Sequence, residues 1–213
     1  EPEIPNPRWL KVKNLACGLC GTDIHFMFME MDPKCFPAAT PGIARKYLGH
    51  ELLGEVMETG NEVEGLKKGD RVCLRIDWPS CFQMEMDPLC PQCAQGEYML
   101  CQNLGARELP LTDVGGGFSP RMVMHRTQPF KVPDNLTNDE ALLLEPMACA
   151  VHAVLKHSPT AGNRVLVVGC GTIGLLTIAT VKALAKDAEV TALARYPFQA
   201  DMARALGADE VIT

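Results

Sequence analysis

Two short stretches carry the residues best suited to chemistry, Cys20-Gly21-Thr22-Asp23-Ile24-His25 and Gly49-His50-Glu51. A cysteine thiolate and a histidine imidazole are ligands that zinc prefers. Asp23 and Glu51 set a carboxylate beside each. A metal-bound histidine commonly passes its second ring N–H to such a group, which fixes its tautomer. One ligand from each of two distant pieces leaves a coordination position open, as a catalytic zinc requires and a structural zinc does not. Taken singly, each piece reads as a buried cysteine or a solvated His–Glu pair. The metal reading rests on the two together.

A second group, Cys90, Cys93 and Cys101, has C-x2-C-x7-C spacing. Ten cysteines in 213 residues also fit a secreted disulfide framework. Such frameworks belong to small, loop-rich domains, whereas the C-terminal half here is long and periodic. In an intracellular chain this crowding favours a metal over disulfides. Cys17, Cys35, Cys73, Cys149 and Cys170 read as small core residues. His125, His152 and His157 have no partner at ligand spacing and read as structural or exposed.

The third constellation is Gly169-Cys170-Gly171-Thr172-Ile173-Gly174, directly after the apolar run Val165-Leu166-Val167-Val168. A GxGxxG between a buried strand and a helix is a dinucleotide fingerprint. Gly169 allows the tight turn, Gly171 lets the backbone approach a pyrophosphate, and Gly174 lets helix and strand pack closely. The phosphates then sit on the free N–H groups that open the helix at Thr172 and Ile173. About 20 residues on, a carboxylate would bind the ribose diol of NAD. Ala194 and Arg195 stand there instead. A guanidinium at that point suits the extra phosphate of NADP, which is favoured over NAD.

The elements that must position these groups fall into two patterns. Trp9 to Leu15, Glu51 to Thr59, Asp70 to Ile76, Arg121 to His125 and Gln128 to Val132 alternate as strands do, and the Gly69-Asp70-Arg71-Val72 hairpin points to a small antiparallel barrel. Cys20 sits in a turn, residues 26–46 read as a loop, and Gly115-Gly116-Gly117 as a flexible hinge or turn. One helix is expected from Asn138 towards Lys156, capped by Asn138-Asp139-Glu140. Then strands and helices alternate, at 164–168, 172–185, 189–194, 197–206 and 210–213, which implies a parallel sheet. The uncharged run from Val165 to Val181 holds three glycines and is short for a bilayer, so it reads as strand plus helix. A net charge of −6 gives no basic footprint for nucleic acid and no polybasic signal for membranes. No charged-then-apolar leader opens the chain, and a cytoplasmic location is expected.

Gly18-Leu19-Cys20-Gly21-Thr22-Asp23-Ile24-His25, Gly49-His50-Glu51, Gly69-Asp70-Arg71-Val72 and the glycine-rich loop, in this order and spacing, resemble the zinc-containing medium-chain alcohol and polyol dehydrogenases. The resemblance implies a GroES-like antiparallel β-barrel domain over residues 1–150, with a zinc-binding loop at 80–103. A truncated Rossmann domain, a doubly wound parallel sheet, follows over 151–213. It implies hydride transfer between an alcohol, polyol or sugar and NAD(P) through a zinc-bound alkoxide. Cys20 and His50 match the first two catalytic ligands. Glu145, in Glu145-Pro146, is similar to the third ligand or water-bridging acid of the polyol branch. Glu51 matches an acid that can itself swing onto the metal. Thr22 and His25 match the hydroxyl and imidazole of a proton relay.

The family's structural zinc lobe carries four cysteines, and this chain has the last three. Asp87 stands in the first place, Cys81 can loop round to replace it, or the lobe is empty. One catalytic and one structural zinc are expected. The substrate is a small alcohol, polyol or sugar, with no nucleic acid or membrane partner, and the whole protein is expected to be a dimer or tetramer. The alternatives are a zinc-independent NADPH reductase of the same superfamily and a non-catalytic nucleotide-binding protein. The chain reads as a piece of a longer protein, ending as a third strand begins. Residues 1–213 alone are expected to be inactive and poorly soluble, because half a doubly wound sheet leaves an open edge and face.

Overall fold

The computed structural model describes residues 2–28, 45–46, 48–75, 80–103, 106 and 113–213. Most of the loop expected at 26–46, and Ile76 at the end of one expected strand, lie outside these. The chain forms two compact units, Glu1–Leu142 and Leu143–Thr213. The sequence reading divides it after Ala150. Among the described residues no helix is long and apolar enough to cross a membrane.

The first unit is built on β1 (Trp9–Cys17), which pairs antiparallel with β3 (Leu52–Thr59) on one side and β6 (Arg121–His125) on the other. With β2 (Arg45–Lys46), β4 (Arg71–Leu74), β5 (Asp113–Gly115) and β7 (Pro129–Lys131) they make one sheet in the order β2-β5-β6-β1-β3-β4-β7. Register puts Leu10 opposite Met124, and Val12 opposite both Met122 and Val56. These side chains, with Leu52, Val72 and Leu74, form its core. Burying each contributes about 2 kcal/mol. The β1–β3 register slips between Asn14 and Ala16, where the Asn14 amide donates to the carbonyls of Gly116 (2.7 Å) and Ser119. A slip of this kind bends a strand, and β1 runs from it into Cys17 and Cys20.

Three local expectations change. The turn at Cys20 is a helix, α1 (Gly21–Met27). Cys20 is its extended N-cap, and Asp23 at the third helical position accepts the Cys20 N–H at 3.0 Å, the side-chain half of a capping box. α2 (Pro91–Ala94) is a single turn. The helix expected from Asn138 is two, α3 (Asn138–Leu142) and α4 (Leu144–Lys156). Pro146 has no N–H to return to Leu142, so the ladder restarts beyond it. Of the two readings of Gly115-Gly116-Gly117, hinge or turn, the turn holds: Gly115 closes β5, the Gly116 carbonyl accepts the Ser119 N–H at 3.0 Å, and Gly117 packs against Gly49.

The second unit follows the expected alternation: β8 (Arg164–Val168), α5 (Thr172–Leu184), β9 (Glu189–Leu193), α6 (Pro197–Ala205) and β10 (Glu210–Ile212). The three strands are parallel, ordered β10-β9-β8, and Val167, Ile178, Val190, Ala192 and Ala203 are among its core.

His125 of β6 is 2% exposed, edge-on to Trp9 with ring centroids 5.3 Å apart, and its Nδ1 lies 2.9 Å from the Thr127 hydroxyl. Burial above all, then the Arg126 charge, pushes its pKa from 6.5 down to about 4; Glu85 opposes this and Arg8 adds to it. The folded ring stays neutral where the unfolded one is charged. Below pH 6.5 the unfolded chain therefore binds the extra proton, and stability falls as pH drops towards 4. The full gap corresponds to about 3 kcal/mol. Urea unfolding at neutral pH and near pH 4.5 should show about 2 to 3 kcal/mol of acid loss that His125→Gln lacks. Equal losses in both proteins would remove His125 as the cause.

Candidate functional site

Both ligand-bearing stretches lie in the first unit, and one carboxylate ties them together. Asp23 is 1% exposed. One of its oxygens accepts the Cys20 N–H at 3.0 Å; the other accepts the Gly49 N–H at 3.0 Å and lies 3.7 Å from Nδ1 of His50. Gly49 has a φ of 92°, and its carbonyl accepts the Gly117 N–H at 2.8 Å. The backbone before His50 is thus pinned from two sides.

The donor atoms of Cys20, His50 and Glu51 all lie within 4.8 Å of one another. The Glu51 carboxylate packs over Gly18, where a side chain would strike it, and the Glu51 carbonyl accepts the Gly18 N–H at 2.9 Å. A thiolate, an imidazole and a carboxylate at this spacing are a donor set that fits zinc with a position left open. Glu145, expected beside them, lies in the second unit, in the first turn of α4. Thr22 and His25 are exposed and three residues apart on α1, so they share a face. The Thr22 hydroxyl is 3.6 Å from Cys20 Sγ.

The cysteine group has four corners, Cys81, Cys90, Cys93 and Cys101, again within 4.8 Å of one another. Asp87 is exposed and stands outside this group; Cys81, fully buried, occupies the corner assigned to it. The reason is local: residues 80–86 fold back on themselves, with the Met86 N–H on the Cys81 carbonyl at 2.8 Å. Cys81 Sγ is 3.7 Å from Cys101 Sγ, close to the edge of about 3.8 Å that a tetrahedron with 2.3 Å zinc–sulfur bonds has. N–H groups of Cys90 (3.4 Å) and Asn103 (3.3 Å) donate to Cys81 Sγ, and that of Cys93 to Cys90 Sγ (3.4 Å). Donors of this kind orient and stabilise sulfurs that hold a metal. The Cys93 N–H and its companions hold the Cys90 thiol down to about 6 against burial, while burial pushes Cys93 and Cys101 up. Four convergent sulfurs fit a closed zinc site.

In the second unit Gly169 has a φ of 93°, Gly171 is the N-cap of α5 with open space where a Cβ would be, and a Cβ on Gly174 would strike the Gly169 carbonyl. Open backbone before a helix start is what a pyrophosphate needs. Thr172 and Ile173 form the first exposed residues of α5. At the end of the neighbouring strand Ala194 is buried, while Arg195 is exposed with its guanidinium 5.3 Å over the Tyr196 ring.

Sequence reasoning undervalued Asp23. The signal was there, since a carboxylate three residues after a cap is the capping-box position. Asn103 carried none, because only the fold brings it to Cys81.

Residues 6–134 match the alcohol dehydrogenase GroES-like domain. The chain is 36% identical to (R,R)-butanediol dehydrogenase of Bacillus subtilis over 213 residues, covering 98% of this chain and 57% of that one. The crystal structure of that organism's 2R,3R-butanediol dehydrogenase superposes with a TM-score of 0.76, at 32% identity, over 100% of this chain and 57% of the other. Sorbitol dehydrogenase of Bacillus subtilis is 31% identical over 99% of this chain and 55% of its own. A protein assigned as a zinc-binding dehydrogenase from Sinorhizobium meliloti 1021, bound to NADP, has a TM-score of 0.76 at 32% identity, over 99% of this chain and 56% of that one. The chain spans little more than half the length of these relatives. It belongs to the zinc-containing medium-chain alcohol and polyol dehydrogenases.

Proposed function

We propose that the intact protein is a zinc-dependent oxidoreductase that moves a hydride between an alcohol, polyol or sugar and a nicotinamide cofactor, NADP in preference to NAD. The observation that carries this is the convergence of Cys20, His50 and Glu51 donor atoms within 4.8 Å. Relatives named for 2R,3R-butanediol and sorbitol favour a substrate with hydroxyls on neighbouring carbons. The first unit serves as the GroES-like catalytic barrel and the second as the opening part of a Rossmann domain. A second zinc, on Cys81, Cys90, Cys93 and Cys101, supports the lobe. The protein works in the cytoplasm as a dimer or tetramer.

A zinc ion held by the first site would supply a Lewis acid for the substrate oxygen and lower the pKa of its hydroxyl. Everything else falls to the chain. Cys20 and His50 hold the ion, and Glu51 or Glu145 completes the set. Asp23 keeps the imidazole oriented, as a carboxylate beside a metal-bound histidine does. The Thr22 hydroxyl receives the substrate proton and His25, next on the same helix face, passes it to solvent. Gly169, Gly171, Thr172, Ile173 and Gly174 cradle the pyrophosphate. Ala194 leaves room beside the ribose, and Arg195, steadied by Tyr196, faces the 2′-phosphate.

The test is a panel of simple alcohols, vicinal diols and sugars on the intact protein with NADP and with NAD, before and after chelation. Activity should vanish with chelator and return with zinc, and NADP should lead by about tenfold, the worth of one charge-assisted bond. Arg195→Asp should reverse that preference. Chelator-insensitive turnover would move the protein to the zinc-free branch.

A further inference from the structure

We propose that Glu85 is a positioning residue for the four-cysteine metal site, its side chain latching the turn that carries Cys81 onto the start of β1. The inference rests on the reading that Cys81, Cys90, Cys93 and Cys101 hold a metal ion. Cys90, Cys93 and Cys101 lie on one short run that α2 and its flanking turns shape. Cys81 lies outside that run and arrives by its own turn.

That turn is closed by two bonds, Met86 N–H to the Cys81 carbonyl (2.8 Å) and Glu85 N–H to the Phe82 carbonyl (3.1 Å). The pair is the pattern that ends a helix at a left-handed residue, a place glycine usually takes. Here glutamate takes it, with a φ of 51°, the single non-glycine residue of positive φ among the described residues. A Cβ in that conformation crowds the neighbouring carbonyl, which glycine avoids. A turn needed only for its shape is served better by glycine. The glutamate side chain must therefore supply what glycine cannot.

Its contacts say what. Oε1 accepts from Asn6 Nδ2 at 2.6 Å and from Trp9 Nε1 at 3.3 Å, and Oε2 lies 3.7 Å from Arg8 Nη1. All three partners stand at or just before the start of β1, and Trp9 is 1% exposed, at the heart of the sheet. The lobe is thus fastened to the most rigid part of the unit through the residue that closes the Cys81 turn. Burial raises the Glu85 pKa, but the Asn6 and Trp9 hydrogen bonds and the Arg8 charge outweigh it and hold the carboxyl below its usual range. The latch is therefore ionised at neutral pH.

The test loads the intact protein with cadmium. Thiolate-to-metal absorbance reports the four-sulfur site, and transfer to a chromogenic chelator gives its off-rate. Glu85→Gly, although it relieves the backbone, should release that ion about tenfold faster. Asn6→Ala should act in the same direction in the wild type and add little in the Glu85→Gly background. Metal at Cys20 and His50 should be retained as before in every variant. A Glu85→Gly protein that binds as tightly as wild type overturns the latch and leaves the metal site standing. A wild type without the thiolate band overturns the metal reading itself, and the latch with it.

Discussion

Cys20→Ala and His50→Ala should each lower turnover of the intact protein by about a thousandfold or more, and each should release one metal ion per chain while the four-cysteine site keeps its own. The reasoning is coordination chemistry. Cys20, His50 and Glu51 converge within 4.8 Å. Removing either soft ligand leaves too few protein donors to hold a divalent ion in an open site. A thousandfold is about 4 kcal/mol of barrier. That is less than the benefit of lowering a hydroxyl pKa by several units. Metal content by mass spectrometry and steady-state rates on the same samples decide the matter. Wild-type rates in either variant would end the zinc mechanism. Cys101→Ala is the counterpart: it should lose the other ion and stability, while folded molecules should keep their turnover. Glu51→Gln and Glu145→Gln, compared for metal content, identify the third donor, since only the true ligand empties the site.

The residue types that converge at the candidate metal site are legible in the sequence because their chemistry is local to short motifs. Cys20 and His50 each sit beside a carboxylate in sequence, and the fold keeps that order. The glycine-rich loop is legible for the same reason: strand, glycines and helix are consecutive, and β8, Gly169–Gly174 and α5 appear in place. What stayed hidden depends on distant partners. Asp23 was read as a companion of Cys20, yet its second oxygen serves Gly49, 26 residues on. For the fourth corner Asp87, Cys81 and an empty lobe all stay open in the sequence, because spacing does not see the left-handed turn at Glu85 that returns Cys81. That turn is held from Asn6 and Trp9, more than 70 residues away. The break at Leu143 was readable from Pro146, but the apolar period ran through it and masked the missing N–H. Gly115–Gly117 looked flexible because glycine permits both freedom and close contact. Only the neighbouring chain decides between them.

Gly117→Ala should destabilise the first unit by about 3 kcal/mol and loosen the catalytic metal. Gly117 donates its N–H to the Gly49 carbonyl at 2.8 Å, and Phe118 donates to the Leu48 carbonyl at 3.0 Å. A Cβ on Gly117 would meet Cys17 Sγ and stand 2.7 Å from the Gly49 carbonyl oxygen. The approach is as close from the other side, since a Cβ added at Gly49 would lie 2.8 Å from Phe118 N and 2.9 Å from Cys17 Sγ. Rotation of the Cys17 side chain relieves only part of the clash, because the Gly49 carbonyl is backbone, and overpacking of that kind costs at the upper end of its range. The strain reaches the site directly. Gly49 precedes His50 and gives its N–H to Asp23 at 3.0 Å, so pushing it outward draws the imidazole from Cys20 and Glu51 together. A displacement of about 1 Å at a reacting centre can cost a hundredfold in rate. Urea unfolding and metal affinity should therefore fall in step for Gly117→Ala. Gly21→Ala, at a position with open space and no positive φ, should leave stability within about 0.5 kcal/mol of wild type. Should Gly117→Ala unfold like the wild type with its metal intact, the crossing at Gly49 is not what holds His50 in place.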